Sequence, residues 1–411
     1  MSDQNAITVD PRQQRGMRIA DRMRIEKKRN GFWAVPSESA DKKYTVDLAR
    51  GGWCSCPDHD ERGVKCKHIW AVEFTVKRET NEQGEVTETR TVRATYSQEW
   101  THYNAAQTTE KASFARLLAA LVEGVPPETQ TMGRPRLPMA DMVFATVYKV
   151  YSTVSGRRFM CDLNDAYERG YVSQLPHYNS IFRYMDTASM TPILTELVTE
   201  SAMPLRAVET NFAVDSSGFA TTNHITWYDH KYGDAHEKAH WLKAHLMCGV
   251  KTNVVTAVEI GGALSQDTSH FIPLVKHTAR HFQMAEISAD KAYLSLANLE
   301  AIDAAGADAF IPFKRNSRPV PWKANARVDT HLWEKMWHYF QFQQDAFMEH
   351  YHQRSNVETT FSMIKRKFGS ALRSKSDVGQ VNELLAKIVA HNICCLNHAI
   401  HELGLEPVFW R

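Results

Sequence analysis

The spacing of apolar residues predicts helices in the middle of the chain and short strands on either side of them. Apolar side chains recur at helical intervals in four segments, at 103–123, 139–154, 163–170 and 176–184. Brief apolar runs typical of strands occur at 31–36, 43–48, 212–214 and 285–289. The pattern therefore predicts a small β-containing part, a helical middle and a mixed α/β part.

Two of the predicted strands are followed directly by an aspartate. Asp215 comes after Phe212-Ala-Val and before the small residues Ser216-Ser-Gly, so we expect a strand that delivers its carboxylate to a turn. Asp290 repeats the arrangement after Ile287-Ser-Ala. Either aspartate taken alone is ordinarily a turn residue or a helix cap.

A third acid, Glu358, lies in a segment predicted to be helical over 351–365. With Tyr351 at zero and about 100° per residue, Arg354, Glu358 and Lys365 project at about 300°, 340° and 320°. An ordinary solvated face with i,i+4 ion pairs would carry the same charges. Together with the two aspartates, however, the glutamate makes an all-oxygen set that suits two divalent cations straddling a phosphodiester.

These three elements resemble the catalytic signature of DDE transposases of bacterial insertion sequences. The resemblance covers about residues 205–400 and rests on Tyr-x2-Arg-x3-Glu-x6-Lys, on Asp290-Lys-Ala-Tyr and on the Asp215 strand. It implies an RNase H-like fold, a mixed sheet flanked by helices. The strands would lie near 212–213, 224–230, 241–249, 253–260 and 287. Trp241-Leu-Lys-Ala-His245 looks like a further block of such enzymes, with no chemical role that the sequence assigns.

The resemblance also implies roles for single residues. Asp215, Asp290 and Glu358 would be metal ligands, with Tyr351, Arg354 and Lys365 near the DNA backbone. Asp215 would bridge two Mg²⁺ ions, for which Mn²⁺ can substitute, with Asp290 on one ion and Glu358 on the other. The 68 residues from Asp290 to Glu358 are too few for the large inserted β domain that some relatives carry there.

A DNA transposase is the function that these roles imply. Hydrolysis at the transposon ends would free 3′-OH groups that attack target DNA, and joining two ends would require a homodimer or larger assembly. Two alternatives belong to other classes: a domesticated, transposase-derived DNA-binding regulator, and a metal-dependent DNA nuclease without strand transfer.

Composition and charge are compatible with this function without singling it out. The 411 residues include 49 basic and 47 acidic ones, and a net charge of +2 is too small to indicate a nucleic-acid partner. Basic residues concentrate at 12–29 and at 365–375, where they would contact DNA phosphates or form a soluble face. No apolar run approaches the roughly 18 residues that cross a bilayer. We expect a cytoplasmic, nucleoid-associated bacterial protein that binds double-stranded DNA, at terminal inverted repeats and target sites, and no membrane.

Three of the seven cysteines cluster with a histidine. Cys54, Cys56, Cys66 and His68 form Cys-x-Cys-x9-Cys-x-His, which supplies three thiolates and one imidazole, a complete tetrahedral set for structural zinc. In an intracellular chain, metal binding accounts for this cluster better than disulfides do. The pattern resembles the SWIM zinc finger, with two strands before it and a helix over 66–74. We predict one structural Zn²⁺ in a module that contacts DNA or protein.

Two short features between the finger and the catalytic part suggest DNA contacts. Gly133-Arg134-Pro-Arg136 resembles the core of an AT-hook, in which extended arginines enter a narrow minor groove, although a plain loop fits it too. The helices within 139–186 would suit a helix-turn-helix that presents Arg183 to the major groove, or else a helical packing subdomain. Residues 76–100 are predicted as a hairpin around Glu82 or a linker.

The chain is accordingly divided into five parts. These are a basic N-terminal segment at 1–30, a SWIM-like finger at 31–76, a linker with a helix at 77–132, a helical DNA-binding segment at 133–204 and a catalytic domain at 205–411.

Five histidines lie close together between the first two acids. His236 and His240 have the i,i+4 spacing of a helical metal site, but no nearby cysteine completes it. Alternation through 242–246 indicates a strand instead. We interpret the whole set as polar residues at a sheet edge, namely His224, His230, His236, His240 and His245.

Overall fold

The computed structural model divides into two compact units, Met1–Ser97 and Gln98–Arg411. The structure describes residues 11–23, 25–28, 31–37, 42–48, 52–80, 86–90, 100–127, 132–133, 135–221, 241–262, 265–319 and 331–410. Several residues of the sequence predictions lie outside the described residues, namely Arg134, the strand at 224–230, His224, His230, His236 and His240.

In its described residues, the first unit combines a small antiparallel sheet with three helices. Its strands pair in the order β1 (Glu26–Lys27), β2 (Trp33–Pro36), β3 (Lys43–Asp47) and β4 (Trp53–Cys54). Its helices are α1 (Pro11–Arg22), α2 (Pro57–Arg62) and α3 (Lys67–Thr75), and a separate hairpin joins β5 (Val76–Thr80) to β6 (Val86–Arg90). The predicted strands at 31–36 and 43–48 and the helix over 66–74 are confirmed; β5 and β6 pair antiparallel as the predicted hairpin requires, while its turn around Glu82 lies outside the described residues.

Helix α1 belongs to the same small core as the cysteine cluster. Ile19 of α1 is buried with Val35, Val46, Ile69 and the three clustered cysteines. Arg12 donates two hydrogen bonds to the carboxylate of Asp58, at 3.1 and 3.2 Å. Part of the basic N-terminal segment therefore packs into this unit.

The second unit is built around one mixed sheet. Its strands are β7 (Asn211–Ala220), β8 (Trp241–Gly249), β9 (Val255–Gly262), β10 (Glu286–Ala289) and β11 (Asp308–Phe310), in the order β11-β10-β7-β8-β9. Strands β7, β8 and β9 pair antiparallel, whereas β10 and β11 run parallel to β7. This sheet, flanked by helices, confirms the predicted RNase H-like class.

Eleven helices of this unit lie within the described residues. They are α4 (Trp100–Val122), α5 (Met139–Ser152), α6 (Gly156–Glu168), α7 (Tyr178–Met185), α8 (Met190–Ala202), α9 (Asp267–Ala279), α10 (Leu296–Ala304), α11 (His331–Phe342), α12 (Gln344–Tyr351), α13 (Ser355–Phe368) and α14 (Asp377–Leu403). The helices predicted at 103–123, 139–154, 163–170 and 176–184 correspond to α4, α5, α6 and α7. None of the helices described is both long and apolar enough to cross a membrane.

Helix α14 joins the helical middle of the chain to the sheet. Its Asn392 is fully buried and donates to the carbonyl oxygens of Val198 in α8 and Val255 in β9, at 3.0 and 2.8 Å. It also accepts a hydrogen bond from the Val255 N–H at 2.8 Å. One hydrophobic core accordingly runs from α4 to α14, and the division of 77–411 at residues 132 and 204 stays a prediction.

Candidate active site and metal centre

Asp215 lies in the middle of β7. Sequence reasoning placed it at a turn, and that detail is wrong because Ser216 to Ala220 continue the strand and pair with β8 as far as Trp241. Gly218 fits this pairing because a Cβ there would lie 3.1 Å from the Trp241 ring. The carboxylate therefore projects from a rigid, paired strand rather than from a loop.

Asp290 lies beside Asp215 on the neighbouring strand. Ala289 is paired with Val214 in the parallel β7/β10 register, so the next residue of each strand is one of the two aspartates. Asp290 also accepts a hydrogen bond from the Ala292 N–H at 3.1 Å and caps the short 3₁₀ turn Lys291–Tyr293. Adjacent strands lie about 4.8 Å apart, which brings the two acids to the same point of the sheet.

The third acid reaches the same region from α13. The predicted continuous helix over 351–365 is wrong in one respect: α12 ends at Tyr351, and a 3₁₀ turn, His352–Arg354, precedes α13. Gln353 in this turn accepts from the Asn211 side-chain amide at 3.1 Å and donates to Glu286 at 3.3 Å. These bonds tie the turn to β7 and β10, a tertiary constraint that helical periodicity does not reveal.

Arg354 connects two of the three acids. Its guanidinium donates to Asp215 Oδ2 at 2.8 Å and to Glu358 Oε1. The other Asp215 oxygen accepts from the Ser216 N–H at 2.8 Å. Burial raises the pKa of Asp215 above its ordinary value, and the nearby carboxylates of Glu358 and Asp290 raise it further, while Ser216 and Arg354 oppose the shift. Asp215 therefore lies within the electrostatic reach of both other acids.

Lys365 and Tyr351 complete the stripe predicted from the sequence. Lys365 donates from Nζ to Ser217 Oγ at 2.7 Å and lies 5.0 Å from the centre of the Phe219 ring, while burial lowers its pKa. The Tyr351 ring lies 5.9 Å from the Arg354 guanidinium carbon. A cleft of about 500 Å³ runs between β7 and α13, lined among others by Asp215, Glu358 and Lys365.

The donor set of this cleft fits hard divalent cations. Carboxylate oxygens are the ligands that Mg²⁺ prefers, and the side chain of Glu358 is 56% exposed, so it is accessible from the cleft. Within the described part of the chain, the three acids do not form a group whose ligand atoms all lie within 4.8 Å of one another. That open spacing is compatible with two ions about 3.5 to 4 Å apart.

A partly buried polar network supports β7 through Ser216, and sequence reasoning did not find it. Asp267, the first residue of α9, accepts from Ser216 Oγ at 3.0 Å and pairs with Lys243 Nζ at 2.5 Å. His245 Nδ1 lies 3.5 Å from the same carboxylate. Lys243 and His245 belong to the block at 241–245, so this network supplies the role that the sequence left unassigned. The sequence signal that could have identified Asp267 is its position as an acidic residue in the first turn of a helix with periodic apolar residues.

His245 is not at a sheet edge. It is fully buried in β8, which lies between β7 and β9, and its ring stacks on His270 with 4.1 Å between ring centres. Burial lowers the pKa of His245 to about 4. The edge interpretation is therefore wrong for this residue, because β9 adds a further strand outside β8.

The four predicted zinc ligands converge in the first unit. Cys54 ends β4, Cys56 precedes α2, Cys66 precedes α3 and His68 lies in the first turn of α3. All four are at most 3% exposed, and their ligand atoms lie within 4.8 Å of one another. His68 Nδ1 lies 3.9 Å from the sulfur atoms of both Cys54 and Cys66. Zinc bonds of about 2.3 Å to sulfur and 2.0 Å to nitrogen give tetrahedral edges of roughly 3.5 to 3.8 Å, so the cluster fits zinc.

The electrostatics of the cluster favour a thiolate at Cys66. A hydrogen bond from the Cys54 thiol lowers the pKa of Cys66 to about 3, and the same contact raises the pKa of Cys54. Burial raises the pKa of Cys56. Holding three thiols this close in a buried position is unfavourable unless a cation compensates the charge of their deprotonated forms.

The remaining residues predicted to bind DNA lie on the surface of the second unit. Arg136 is exposed in the segment before α5, and Arg183 is exposed on α7. His177 caps α7 by accepting from the Asn179 N–H at 3.3 Å. Their contacts with DNA stay predictions.

Comparison with known proteins assigns a domain to each of the two sites. Residues 206–393 match the family described as "Transposase DDE domain", and residues 44–77 match the "SWIM zinc finger". A search of curated proteins found no match. Among solved structures the chain is similar to a "piggyBac transposase synaptic complex with hairpin DNA", at 12% identity and a TM-score of 0.34 over 80% of this chain and 79% of the other. A likeness at that score carries no argument about function.

Proposed function

We propose that this chain, in which a SWIM zinc finger precedes a DDE transposase domain, is a DNA transposase that cleaves transposon ends and joins them to target DNA. The domain match supports a DNA-cleaving enzyme in general. The observation that supports the finer proposal is that Asp215 and Asp290 follow paired residues of β7 and β10 while Arg354 joins Asp215 to Glu358.

The proposed chemistry assigns each acid a task. Asp215, which lies within electrostatic reach of both other acids, would hold the metal ions together with Asp290 and Glu358. Bound Mg²⁺ or Mn²⁺ supplies a polarised water and a positive charge at the leaving 3′ oxygen. Arg354 hydrogen-bonds to both Asp215 and Glu358 and so keeps them close together. Its positive charge also lowers the pKa of Asp215, which burial raises, and thereby favours the ionised carboxylate. The chain needs no covalent intermediate, because the freed 3′-OH is itself the next nucleophile.

The basic side of the cleft is suited to the DNA backbone. Lys365 lines the same cleft as Asp215 and Glu358. Burial lowers its pKa because it disfavours the charged ammonium group. A DNA phosphate beside Lys365 would stabilise that charge. Arg366 lines the same cleft and is exposed. We propose that these residues hold the strand to be cut, with Tyr351 near the backbone.

The zinc finger has a structural role in this proposal. Three thiolates and one imidazole fill all four positions of a tetrahedral ion, which leaves no position for a reacting water. The finger would bind DNA or a partner protein, while cleavage stays with the DDE domain. Because two transposon ends must be joined, the active assembly would be a dimer or larger, acting in the bacterial cytoplasm.

A strand-transfer assay tests the proposal. Labelled DNA carrying the inverted repeats that flank the gene is incubated with the full chain and Mg²⁺, together with a supercoiled plasmid as target. Nicking at the repeat ends followed by covalent joining to the plasmid is the expected result. Cleavage without joining indicates the nuclease, and binding without cleavage indicates the regulator; either result contradicts the proposal.

Replacing Lys365 by Met should weaken DNA binding and reduce its salt dependence. The affinity falls as salt rises, and each phosphate contact contributes about −0.9 to the slope of log K against log salt. Loss of one contact should therefore make this slope less negative by about 0.9 between roughly 50 and 200 mM NaCl. Fluorescence anisotropy with a labelled terminal duplex measures the slope. Lys314→Met removes the same charge from an exposed position after β11 and should leave the slope unchanged. Equal slopes for Lys365→Met and the wild type would show that Lys365 does not contact a phosphate.

A further inference from the structure

A second cavity lies in the same unit as the active-site cleft and shares no lining residue with it. It measures about 370 Å³ and is bounded by α5, α6, α7, the end of α13 and the first turns of α14. Ligand pockets have volumes of about 300 to 1,000 Å³. Its walls are partly apolar, with Phe182, Met185 and Phe368, and partly cationic.

Lys149 is the most unusual residue of this cavity. It is only 8% exposed, and its ammonium group has no hydrogen-bond or ion-pair partner among the residues that the structure describes. Burial lowers its pKa and repulsion from Arg373 lowers it further, while the carboxylate of Glu383 opposes the shift. The ammonium nitrogen is not one of the fully enclosed polar atoms that lack a partner, so it is accessible from the cavity and can gain an anionic partner there.

The neighbouring charges leave the cavity positive. Lys387 is 2% exposed and donates to the carbonyl oxygens of Gly369 and Ala371, at 3.0 and 2.8 Å. Arg373 is held by a bond to the Thr153 carbonyl oxygen at 3.0 Å. The one carboxylate of the lining, Glu383, accepts from the backbone N–H groups of residues 373 and 374, both at 2.8 Å, and its other oxygen lies 3.7 Å from Lys387 Nζ. Three cationic side chains thus share one carboxylate, which leaves the lining with a net positive charge.

A helix N-terminus adds to the positive electrostatic potential of the cavity. Helix α6 starts in the cavity wall, and Ser155, its N-cap, makes no side-chain capping bond. The first N–H groups of a helix have no partner within the helix and favour anions. Gly156 permits the close approach of Phe182, because a Cβ there would lie 2.8 Å from the Phe182 ring.

We propose that this cavity is a phosphate-binding subsite and that the phosphate belongs to the DNA backbone. The first part follows from Lys149, its cationic neighbours and the α6 N-terminus, whereas the second rests on the proposed transposase function. Glu358 and Phe368 lie ten residues apart on α13, which corresponds to about 15 Å along the helix axis. A DNA strand advances about 3.4 Å per nucleotide. A strand cut at Glu358 and running along α13 would reach the cavity after roughly four or five nucleotides.

Inorganic phosphate tests the first part. In the wild type, about 20 mM phosphate should raise the thermal midpoint of unfolding above that in chloride of equal ionic strength. Lys149→Met should abolish this shift, while its own midpoint in chloride should stay close to that of the wild type, because methionine fills the space of the buried lysine stem. Lys276→Met, an exposed lysine on α9, should retain the shift. No shift in the wild type, or an undiminished shift in Lys149→Met, would overturn the subsite.

Duplex DNA tests the second part. With a labelled terminal duplex, Lys149→Met should make the slope of log K against log salt less negative by about 0.9 relative to both the wild type and Lys276→Met. Loss of the phosphate shift with an unchanged slope would show that the cavity takes free phosphate, and the DNA assignment would fail. Failure of the wild type to bind this DNA would instead contradict the proposed function, while the thermal result would stand.

Discussion

Asp215→Asn should lower the rate of DNA end cleavage by at least about 10³-fold, with little change in DNA affinity. The substitution keeps the size of the side chain in a paired strand but removes the charge that lies within reach of both Asp290 and Glu358. A bound cation contributes several kcal/mol of transition-state stabilisation, and each 1.4 kcal/mol is about tenfold in rate. Gel analysis of labelled ends in Mg²⁺ measures cleavage, and anisotropy measures binding.

Two further variants separate a ligand role from a structural one. Asp308→Asn changes an exposed aspartate of β11, in the same sheet, and should cleave normally. Asp215→Cys should be inactive with Mg²⁺ and regain part of its activity with Mn²⁺, because a thiolate suits softer ions better than Mg²⁺. Cleavage by Asp215→Asn at the wild-type rate would sink the assignment of the triad.

Arg354 explains how such a site is maintained in a folded protein. Carboxylates at close quarters repel one another, and burial of Asp215 adds a cost of its own. One guanidinium contacts Asp215 and Glu358 together, and its own side chain is 18% exposed. A protein that only binds DNA would have no need for this arrangement. The contact therefore favours catalysis over the alternative of a DNA-binding regulator.

Local features of the site followed from sequence because they depend on spacing alone. The zinc ligands lie within fifteen residues, and the aspartates directly follow or interrupt apolar strand runs. Tyr351, Arg354, Glu358 and Lys365 share a face even though the helix is broken between the first two. One 3₁₀ turn changes the angles too little to separate side chains that are three or four residues apart.

Features that depend on tertiary pairing did not follow from sequence. Lys243, His245 and Asp267 meet only because β8 lies beside β7 and α9 starts next to Ser216. The edge interpretation of His245 failed because the position of β9 in the sheet is not encoded in the local pattern of β8. Lys149 lines a cavity only because α14 and the end of α13 lie next to α5 in the folded chain.

Removal of zinc should unfold the finger while the second unit stays folded. The buried core of the first unit is small and includes the ligands Cys54, Cys56 and Cys66 themselves. Structural zinc contributes about 10 to 16 kcal/mol of apparent binding free energy, which is folding free energy in such modules. Limited proteolysis of the full chain after chelation should give rapid cleavage within 11–80 and a persistent fragment beginning near residue 100. Elemental analysis before chelation should give one zinc per chain.

Single substitutions distinguish loss of zinc from a general effect of the chelator. Cys66→Ser should reproduce the proteolysis pattern without chelator and lower the zinc content to near zero, because three ligands hold the ion far less tightly in a module that folds around it. Cys161→Ser, at an exposed cysteine of α6, should retain one zinc and resist proteolysis. A Cys66→Ser protein that lacks zinc while residues 52–75 stay protected would refute the structural role. Since the two units have separate hydrophobic clusters, neither change should expose the core that surrounds α14.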